Sequence, residues 1–129
     1  MSFRLGVDIV EIERIKKAVN RWGNKFLNRV FTPLEQEYCL AKKGSCRHLA
    51  GRFSCKEAVI KALGKRVPWC DIEIVNSSTG SPSLILYNRA VTEAEGIKGK
   101  LFHISISHCK KFAVANALLE VDNENSISR

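Results

Sequence analysis

The first residues of the chain alternate between apolar side chains and polar or small ones. The apolar residues are Phe3, Leu5, Val7 and Ile9, and those between them are Arg4, Gly6 and Asp8. A hydrophobic period of two is typical of a β-strand, because successive side chains of a strand point to opposite faces. Asp8 is therefore expected near the end of a strand, on the face opposite the apolar one.

Three helices are predicted between residues 12 and 41. The first has an apolar stripe of Ile12, Ile15, Val19 and Trp22, and its opposite side carries the cations Arg14, Lys17 and Arg21. A short helical segment covers residues 24–31. The third helix begins at Thr32-Pro33-Leu34-Glu35 and runs to about Ala41, because this sequence supplies an N-cap, a proline in the first turn and a capping-box glutamate.

A longer helix is predicted over residues 47–63, and its apolar stripe contains a lysine. The apolar members are Leu49, Phe53, Ile60 and Leu63, and Lys56 lies among them. Glu57 and Lys61, four residues apart, occupy the adjoining face, and Gly64 is a plausible helix stop. Two interpretations stay open for these charges. They form a solvated ion pair beside a lysine that extends its charge into water, or they help to build a phosphate and metal site.

The second half of the chain is dominated by strand patterns. Two strands, 71–75 and 82–87, are joined by a turn over 76–81, and a short helix covers 88–95. A second hairpin follows, in which 101–108 alternates and the apolar run 112–119 is expected to be buried on both faces.

These elements predict an α+β domain, because strands and helices occur in blocks. We expect a small, mainly antiparallel sheet with the long helix packed on it, and helices or another subunit to cover the remaining face. Residues 1–121 form the single predicted domain, and residues 122–129 form a polar tail.

Composition restricts the classes of partner. The net charge of +8 indicates an acidic partner, which is a nucleic acid, a membrane, an anionic metabolite or an acidic protein. Nucleic acid is disfavoured because the cations are not interleaved with exposed aromatic residues. No apolar run is long enough to cross a bilayer, and no secretory signal is recognised at the start. Five cysteines without metal-ligand spacing fit reduced thiols, so a cytoplasmic protein that spans no membrane is expected.

The charged residues also suggest chemistry. Asp8, at a strand end, and Glu57, on the long helix, are able to meet where the sheet contacts the helix. Two carboxylates can hold Mg²⁺, which keeps several waters and binds phosphate oxygens. Arg52, Lys56 and Lys61 would then neutralise phosphate groups. For Asp8 taken alone, a cap or turn residue is the alternative.

The same residues carry a resemblance to a known family. The matching segments are Gly6-Val-Asp8-Ile-Val-Glu11-Ile, Phe31-Thr, Leu49-Ala-Gly-Arg52-Phe53, Lys56-Glu57-Ala-Val-Ile-Lys61-Ala-Leu-Gly64, Asp71-Ile-Glu-Ile, Gly80-Ser-Pro82 and His103-Ile-Ser-Ile-Ser-His108. Their order and spacing over residues 5–120 resemble the holo-acyl-carrier-protein synthases, which are 4'-phosphopantetheinyl transferases of bacterial fatty acid biosynthesis.

The resemblance implies an activity and its participants. Such an enzyme moves the 4'-phosphopantetheine group of coenzyme A onto a serine of apo acyl carrier protein and releases adenosine 3',5'-bisphosphate. It implies Mg²⁺ bound by Asp8 and Glu57, with Lys61 as a further catalytic residue. The base is either Glu57 or a water on the metal. It also implies a homotrimer with active sites between subunits.

The resemblance further assigns binding residues. Contacts with coenzyme A are expected at Arg52, Lys56, Gly64, Pro82, Ser107 and His108. Because carrier proteins are acidic, the cationic side of the first helix, Arg14, Lys17 and Arg21, is expected to bind them. Cys109 departs from the family pattern, which often has a small hydroxyl residue there.

Overall fold

The computed structural model describes residues 1–122 and contains five helices and five strands in that range. The helices are α1 Ile12–Trp22, α2 Asn24–Val30, α3 Pro33–Leu40, α4 Ser45–Leu63 and α5 Asn88–Gly96, with a 3₁₀ turn at Trp69–Asp71. The strands are β1 Ser2–Glu11, β2 Ile72–Asn76, β3 Pro82–Leu86, β4 Gly99–His108 and β5 Phe112–Val121. The predicted elements are confirmed in type and order. The predicted tail, apart from Asp122, lies outside the described residues.

The strands form two sheets rather than the one that the sequence predicted. β1, β5 and β4 make a three-stranded sheet with β5 in the centre, and β2 pairs with β3 as a separate hairpin. All pairs are antiparallel. Helix α4 packs across the three-stranded sheet, so the α+β class and the long helix on a small sheet are confirmed. No helix within residues 1–122 is long and apolar enough to traverse a bilayer.

Small residues allow α4 to lie close to β1. A Cβ atom on Gly6 would overlap with the backbone carbonyl of Ala58, so only glycine fits there. Next to it, Arg4 donates from Nε to the carbonyl oxygen of Ala62 at 2.6 Å and so satisfies the last turn of the helix. The side of β1 that carries Arg4, Gly6 and Asp8 therefore faces α4.

The apolar face of β1 is consequently left exposed in the chain. Leu5 is 74 % exposed and Ile9 63 %, and Phe3 and Val7 are exposed by more than half. The prediction that β5 is buried on both faces is wrong for the single chain, because Phe112 is 40 % exposed while only the alternating inner residues are covered. The helix covers the face with small side chains, since only that face admits its backbone.

Two apolar clusters lie along α4. One joins the second half of α4 to β2, α5, β4 and β5, and the other joins its first half to α1, α2 and α3. The predicted capping box is confirmed, because Thr32 and Glu35 exchange backbone and side-chain hydrogen bonds. Trp22, by contrast, is 52 % exposed and does not belong to the buried stripe of α1.

Among residues 1–122, the environment of Lys56 differs most from what the sequence predicted. Its side chain is fully buried, and Nζ lies 2.6 Å from Oε1 of Glu35. Nζ also donates to the carbonyl oxygens of Val30 at 2.8 Å and Trp69 at 3.0 Å, so all the hydrogens of the ammonium have partners. Glu35 is equally buried, and its Oε2 accepts from the backbone N–H of Ile74. The lysine neither extends into water nor has a donor left for phosphate.

Breaking this ion pair from one side should cost stability. We expect Lys56→Met to lower the free energy of unfolding by about 3–5 kcal/mol, because an uncompensated carboxylate stays buried. The measurement is urea denaturation at a fixed protein concentration. Lys65→Met, at a side chain that is 67 % exposed, should change the value by about 1 kcal/mol or less.

A second variant identifies the pair as the cause. Glu35→Gln combined with Lys56→Met should destabilise the protein less than the two single variants added together, with a coupling free energy of about 0.5–3 kcal/mol. Strictly additive losses would show that the two charges do not stabilise each other.

Candidate active site

Asp8 lies where β1 passes the second half of α4. Its carboxylate is 16 % exposed and accepts a hydrogen bond from Lys61 Nζ at 3.1 Å. The same ammonium donates to the carbonyl oxygen of Val7 at 2.9 Å. Lys61 therefore joins the strand to the helix, and Asp8 is neither a helix cap nor a turn residue.

Glu57 precedes Lys61 by one helical turn and is held by two donors. Trp69 Nε1 and Arg66 Nη1 each donate to Oε2 at 2.8 Å. Burial raises the pKa of Glu57, but these hydrogen bonds and the charges of Arg66 and Lys61 outweigh burial and hold the pKa below its ordinary value. The carboxylate is thus ionised at neutral pH.

Lys61 lies one helical turn after Glu57 on the same face of α4 and bonds to Asp8 on β1. The three residues that the sequence named as catalytic therefore lie along the junction of β1 and α4, and we call them the carboxylate cluster. Within residues 1–122 no group of three or more acidic, histidine or cysteine side chains could enclose a metal. Two carboxylates fit Mg²⁺ nonetheless, because this ion takes one or two carboxylates and fills its remaining positions with water and phosphate oxygens.

A polar hollow of about 180 Å³ lies beside the first half of α4. Three predicted coenzyme A contacts, Arg52, Pro82 and His108, line it together. Arg52 is 5 % exposed, donates to Asn76 and lies 4.3 Å over the Tyr38 ring. Its Nε is a buried donor with no partner in the described part of the chain. A buried cation with a free N–H is suited to an anion in the hollow.

The hollow is also lined by His48, which the sequence analysis did not assign to coenzyme A. The His48 ring lies between those of Tyr38 and His108, at centroid distances of 6.2 and 5.8 Å. Burial and the charges of His108, Arg52, Arg47 and Lys42 lower the pKa of His48. Residues 47, 48, 51 and 52 share one face of α4. Helical spacing was therefore the signal that could have found His48.

Three predicted coenzyme A contacts lie elsewhere in the chain. Lys56 is in the core, which contradicts a phosphate contact. Ser107 alternates with Ile106 and His108, which line the hollow, so its side chain is on the outer face of β4. Gly64 ends α4 beside Arg4, roughly 18 Å from Arg52 along the helix at 1.5 Å per residue. The roles of Ser107 and Gly64 stay predictions.

Arg14, Lys17 and Arg21 are all exposed on α1, as expected. Next to them lies a hollow of about 400 Å³ with an apolar floor and a cationic rim, which we call the tryptophan hollow. It is lined by Trp22, Lys25, Phe26, Arg29, Val30 and Trp69. The guanidinium of Arg21 lies 4.9 Å over the Trp22 ring. Since Trp69 also bonds Glu57, the hollow adjoins the carboxylate cluster.

Comparison with known proteins identifies related chains. The family model of the 4'-phosphopantetheinyl transferase superfamily matches residues 4–116. The holo-[acyl-carrier-protein] synthase of Koribacter versatilis is 39 % identical over 124 residues, covering 93 % of this chain and 99 % of the relative. That of Protochlamydia amoebophila is 45 % identical over 122 residues, covering 92 % and 98 %. The resemblance seen in the sequence is thus confirmed.

Solved structures give the same result. The Helicobacter pylori holo-[acyl-carrier-protein] synthase in complex with coenzyme A matches with a TM-score of 0.80 and 33 % identity, over 90 % of this chain and 99 % of that one. The ACPS–CoA complex of Chronobacterium ammoniagenes matches with a TM-score of 0.84 and 31 % identity, over 95 % and 100 %.

Proposed function

The chain belongs to the 4'-phosphopantetheinyl transferase superfamily, and we propose that it is a holo-[acyl-carrier-protein] synthase of fatty acid biosynthesis. It transfers the 4'-phosphopantetheine group of coenzyme A to a serine of apo acyl carrier protein and releases adenosine 3',5'-bisphosphate. The observation that carries this proposal is that Lys61 bonds Asp8 where β1 meets α4, one helical turn from Glu57. We place the enzyme in the cytoplasm, which its five unpaired cysteines fit.

The reaction makes a bond from the serine Oγ to the β-phosphorus of coenzyme A, breaks the bond from that phosphorus to the oxygen that bridges it to the nucleotide phosphate, and releases the hydroxyl proton of the serine to water. Asp8 and Glu57 would hold Mg²⁺, which supplies positive charge to the diphosphate and to the leaving phosphate. Lys61 adds a second positive charge at the same place. The lowered pKa of Glu57 makes its carboxylate a weak base, which favours its role as a metal ligand over that of proton acceptor.

The activity can be tested directly. Incubation with coenzyme A, Mg²⁺ and apo acyl carrier protein should increase the intact mass of the carrier by one phosphopantetheine group. Chelation of the metal should stop the reaction. Asp8→Asn and Glu57→Gln should each lower the rate by about 100-fold or more, because each removes a carboxylate that would hold Mg²⁺, whose charge stabilises the transition state. Glu95→Gln, at an exposed position on α5, is the matched control.

A carrier mass that stays unchanged with the wild-type enzyme would contradict the proposed activity. Full activity of Asp8→Asn with Mg²⁺ would instead contradict the metal site alone.

We assign the polar hollow to the nucleotide end of coenzyme A. Its buried Arg52 has an unpaired N–H and His108 also lines it, so a phosphate group would have two nitrogen partners. The walls supply aromatic rings, and Pro82 contributes an apolar surface. These features suit an adenosine that carries a 3'-phosphate.

The two halves of the site lie apart within one chain. Asp8 is on β1 and His108 on β4, at opposite edges of the sheet whose central strand is β5. Two strand spacings separate them, which is about 10 Å. Arg52 and Lys61, which are nine positions apart on α4, are separated by about 14 Å along the helix axis. We therefore propose a homotrimer in which the carboxylate cluster of one copy faces the polar hollow of the next. The exposed apolar face of β1 supports such an assembly, since patches of this kind mark interfaces.

Subunit mixing tests the shared site. We expect Asp8→Asn and His108→Ala to be nearly inactive alone. Mixed trimers formed by co-expression should regain up to about a third of the wild-type rate, because every trimer that contains both variants has three interfaces and one of them joins two intact halves. Purification through a different tag on each variant isolates the mixed species. Sedimentation velocity gives the number of copies.

If each site lay within one chain, mixing would restore no activity. A monomer in sedimentation that is fully active would contradict the trimer as well.

We assign the basic side of α1 and the adjoining tryptophan hollow to the carrier protein. Arg14, Lys17 and Arg21 provide positive charge for an acidic partner, and the apolar floor of the hollow offers area to bury. The surface ends at Trp69, next to Glu57, so a carrier bound there would bring its serine to the carboxylate cluster.

Charge reversal tests this surface. Arg14→Glu with Arg21→Glu should raise the KM for the carrier at least 10-fold at low salt, while the KM for coenzyme A stays unchanged, because close like charges oppose encounter. The wild-type rate should also fall with added salt. Arg89→Glu with Lys100→Glu is a control of equal charge on other exposed elements. Equal effects of the two double variants would show that only net charge matters.

A further inference from the structure

Glu57 is held unequally by its two donors. Oε2 accepts from both Trp69 and Arg66 at 2.8 Å, whereas Oε1 has only a long contact of 3.4 Å with Arg66. The Arg66 side chain is 63 % exposed, so water competes with it for the carboxylate. The indole of Trp69 is half-buried and rigid. Of the two, Trp69 is the donor that fixes the carboxylate.

Trp69 is itself fixed through its backbone. Its carbonyl oxygen accepts from Lys56 Nζ at 3.0 Å, and Lys56 belongs to the fully buried ion pair with Glu35. The ring packs at 6.0 Å from that of Phe53. Trp69 therefore bonds two successive residues of α4, with its main chain to Lys56 and its side chain to Glu57. The side chains of neighbouring residues on a helix point about 100° apart. A residue that bonds both of them is therefore held in one position relative to the helix.

We infer that Trp69 is a positioning residue for the proposed metal ligand Glu57. It holds Oε2 and leaves Oε1, which has only the long Arg66 contact, as the oxygen that a divalent cation can take. This inference rests on the proposed function. Hydrogen-bond partners of metal ligands orient them, and their loss costs about 10–100-fold in metal affinity.

The experiment compares the two tryptophans of the chain. Both line the tryptophan hollow, but only Trp69 bonds Glu57. Trp69→Phe keeps an aromatic ring and removes the N–H, and Trp22→Phe is the matched control. Binding of Mn²⁺ in the presence of coenzyme A, followed by electron paramagnetic resonance, should be about 10–100-fold weaker for Trp69→Phe. The control should bind Mn²⁺ like the wild type, because Trp22 is assigned to carrier binding and no carrier protein is present in this assay.

Kinetics and fluorescence give independent readouts. At saturating coenzyme A and carrier protein, the KM for Mg²⁺ should rise about 10–100-fold in Trp69→Phe, because Glu57 is less well oriented toward the ion. In Trp22→Phe the remaining tryptophan is Trp69, and its emission should change on Mg²⁺ titration. The emission of Trp69→Phe, which comes from Trp22, should not respond.

Replacement of Trp69 by 3-benzothienylalanine, which has sulfur in place of the N–H, preserves the shape of the ring if the phenylalanine variant does not fold. It should show the same loss of Mn²⁺ affinity. Wild-type affinity in either folded variant would overturn the inference and leave the proposed function intact. If the wild-type protein binds no Mn²⁺, the proposed metal site is wrong and the inference about Trp69 fails with it.

Discussion

The ion pair between Lys56 and Glu35 organises the chain around α4. Burying two charges costs several kcal/mol each, and the interior accepts them only where every remaining hydrogen-bonding group finds a partner. Here the partners are backbone groups of Val30, Trp69 and Ile74, which belong to three separate segments. The pair therefore sets α2, α3, the 3₁₀ turn and β2 against one helix. A purely apolar contact would not define these positions so narrowly.

The positions of the proposed catalytic residues depend on this ion pair and on β1. Trp69 bonds both Lys56 and Glu57 and so connects the buried pair to the carboxylate of Glu57. The close approach of β1 to α4 at Gly6 brings Asp8 within hydrogen-bond distance of Lys61. The acids are thus supplied by two elements whose spacing is limited by the backbone of Ala58. A larger side chain at Gly6 would separate the carboxylates even if each element stayed folded.

The sequence predicted the elements well because their signals are local. The capping box at Thr32, the strand alternation and the stop at Gly64 all depend on neighbours within a few residues. It could not predict the environment of Lys56, since its partners lie up to 26 positions away. The donors to Glu57, Arg66 and Trp69, follow α4 in a segment without periodicity. The sequence also could not show which face of β1 the helix covers, because alternation separates two faces without showing which of them is buried.

The exposed face of β1 connects stability with the site. The chain buries its small and polar face and leaves the side of Leu5 and Ile9 to solvent, although burying an aliphatic side chain contributes about 1.5–3 kcal/mol. In the proposed trimer that surface is covered by other copies. The same association completes the site, because the carboxylate cluster and the polar hollow lie at opposite edges of one sheet. Loss of apolar contact at β1 would then remove activity without any change in the residues that touch coenzyme A.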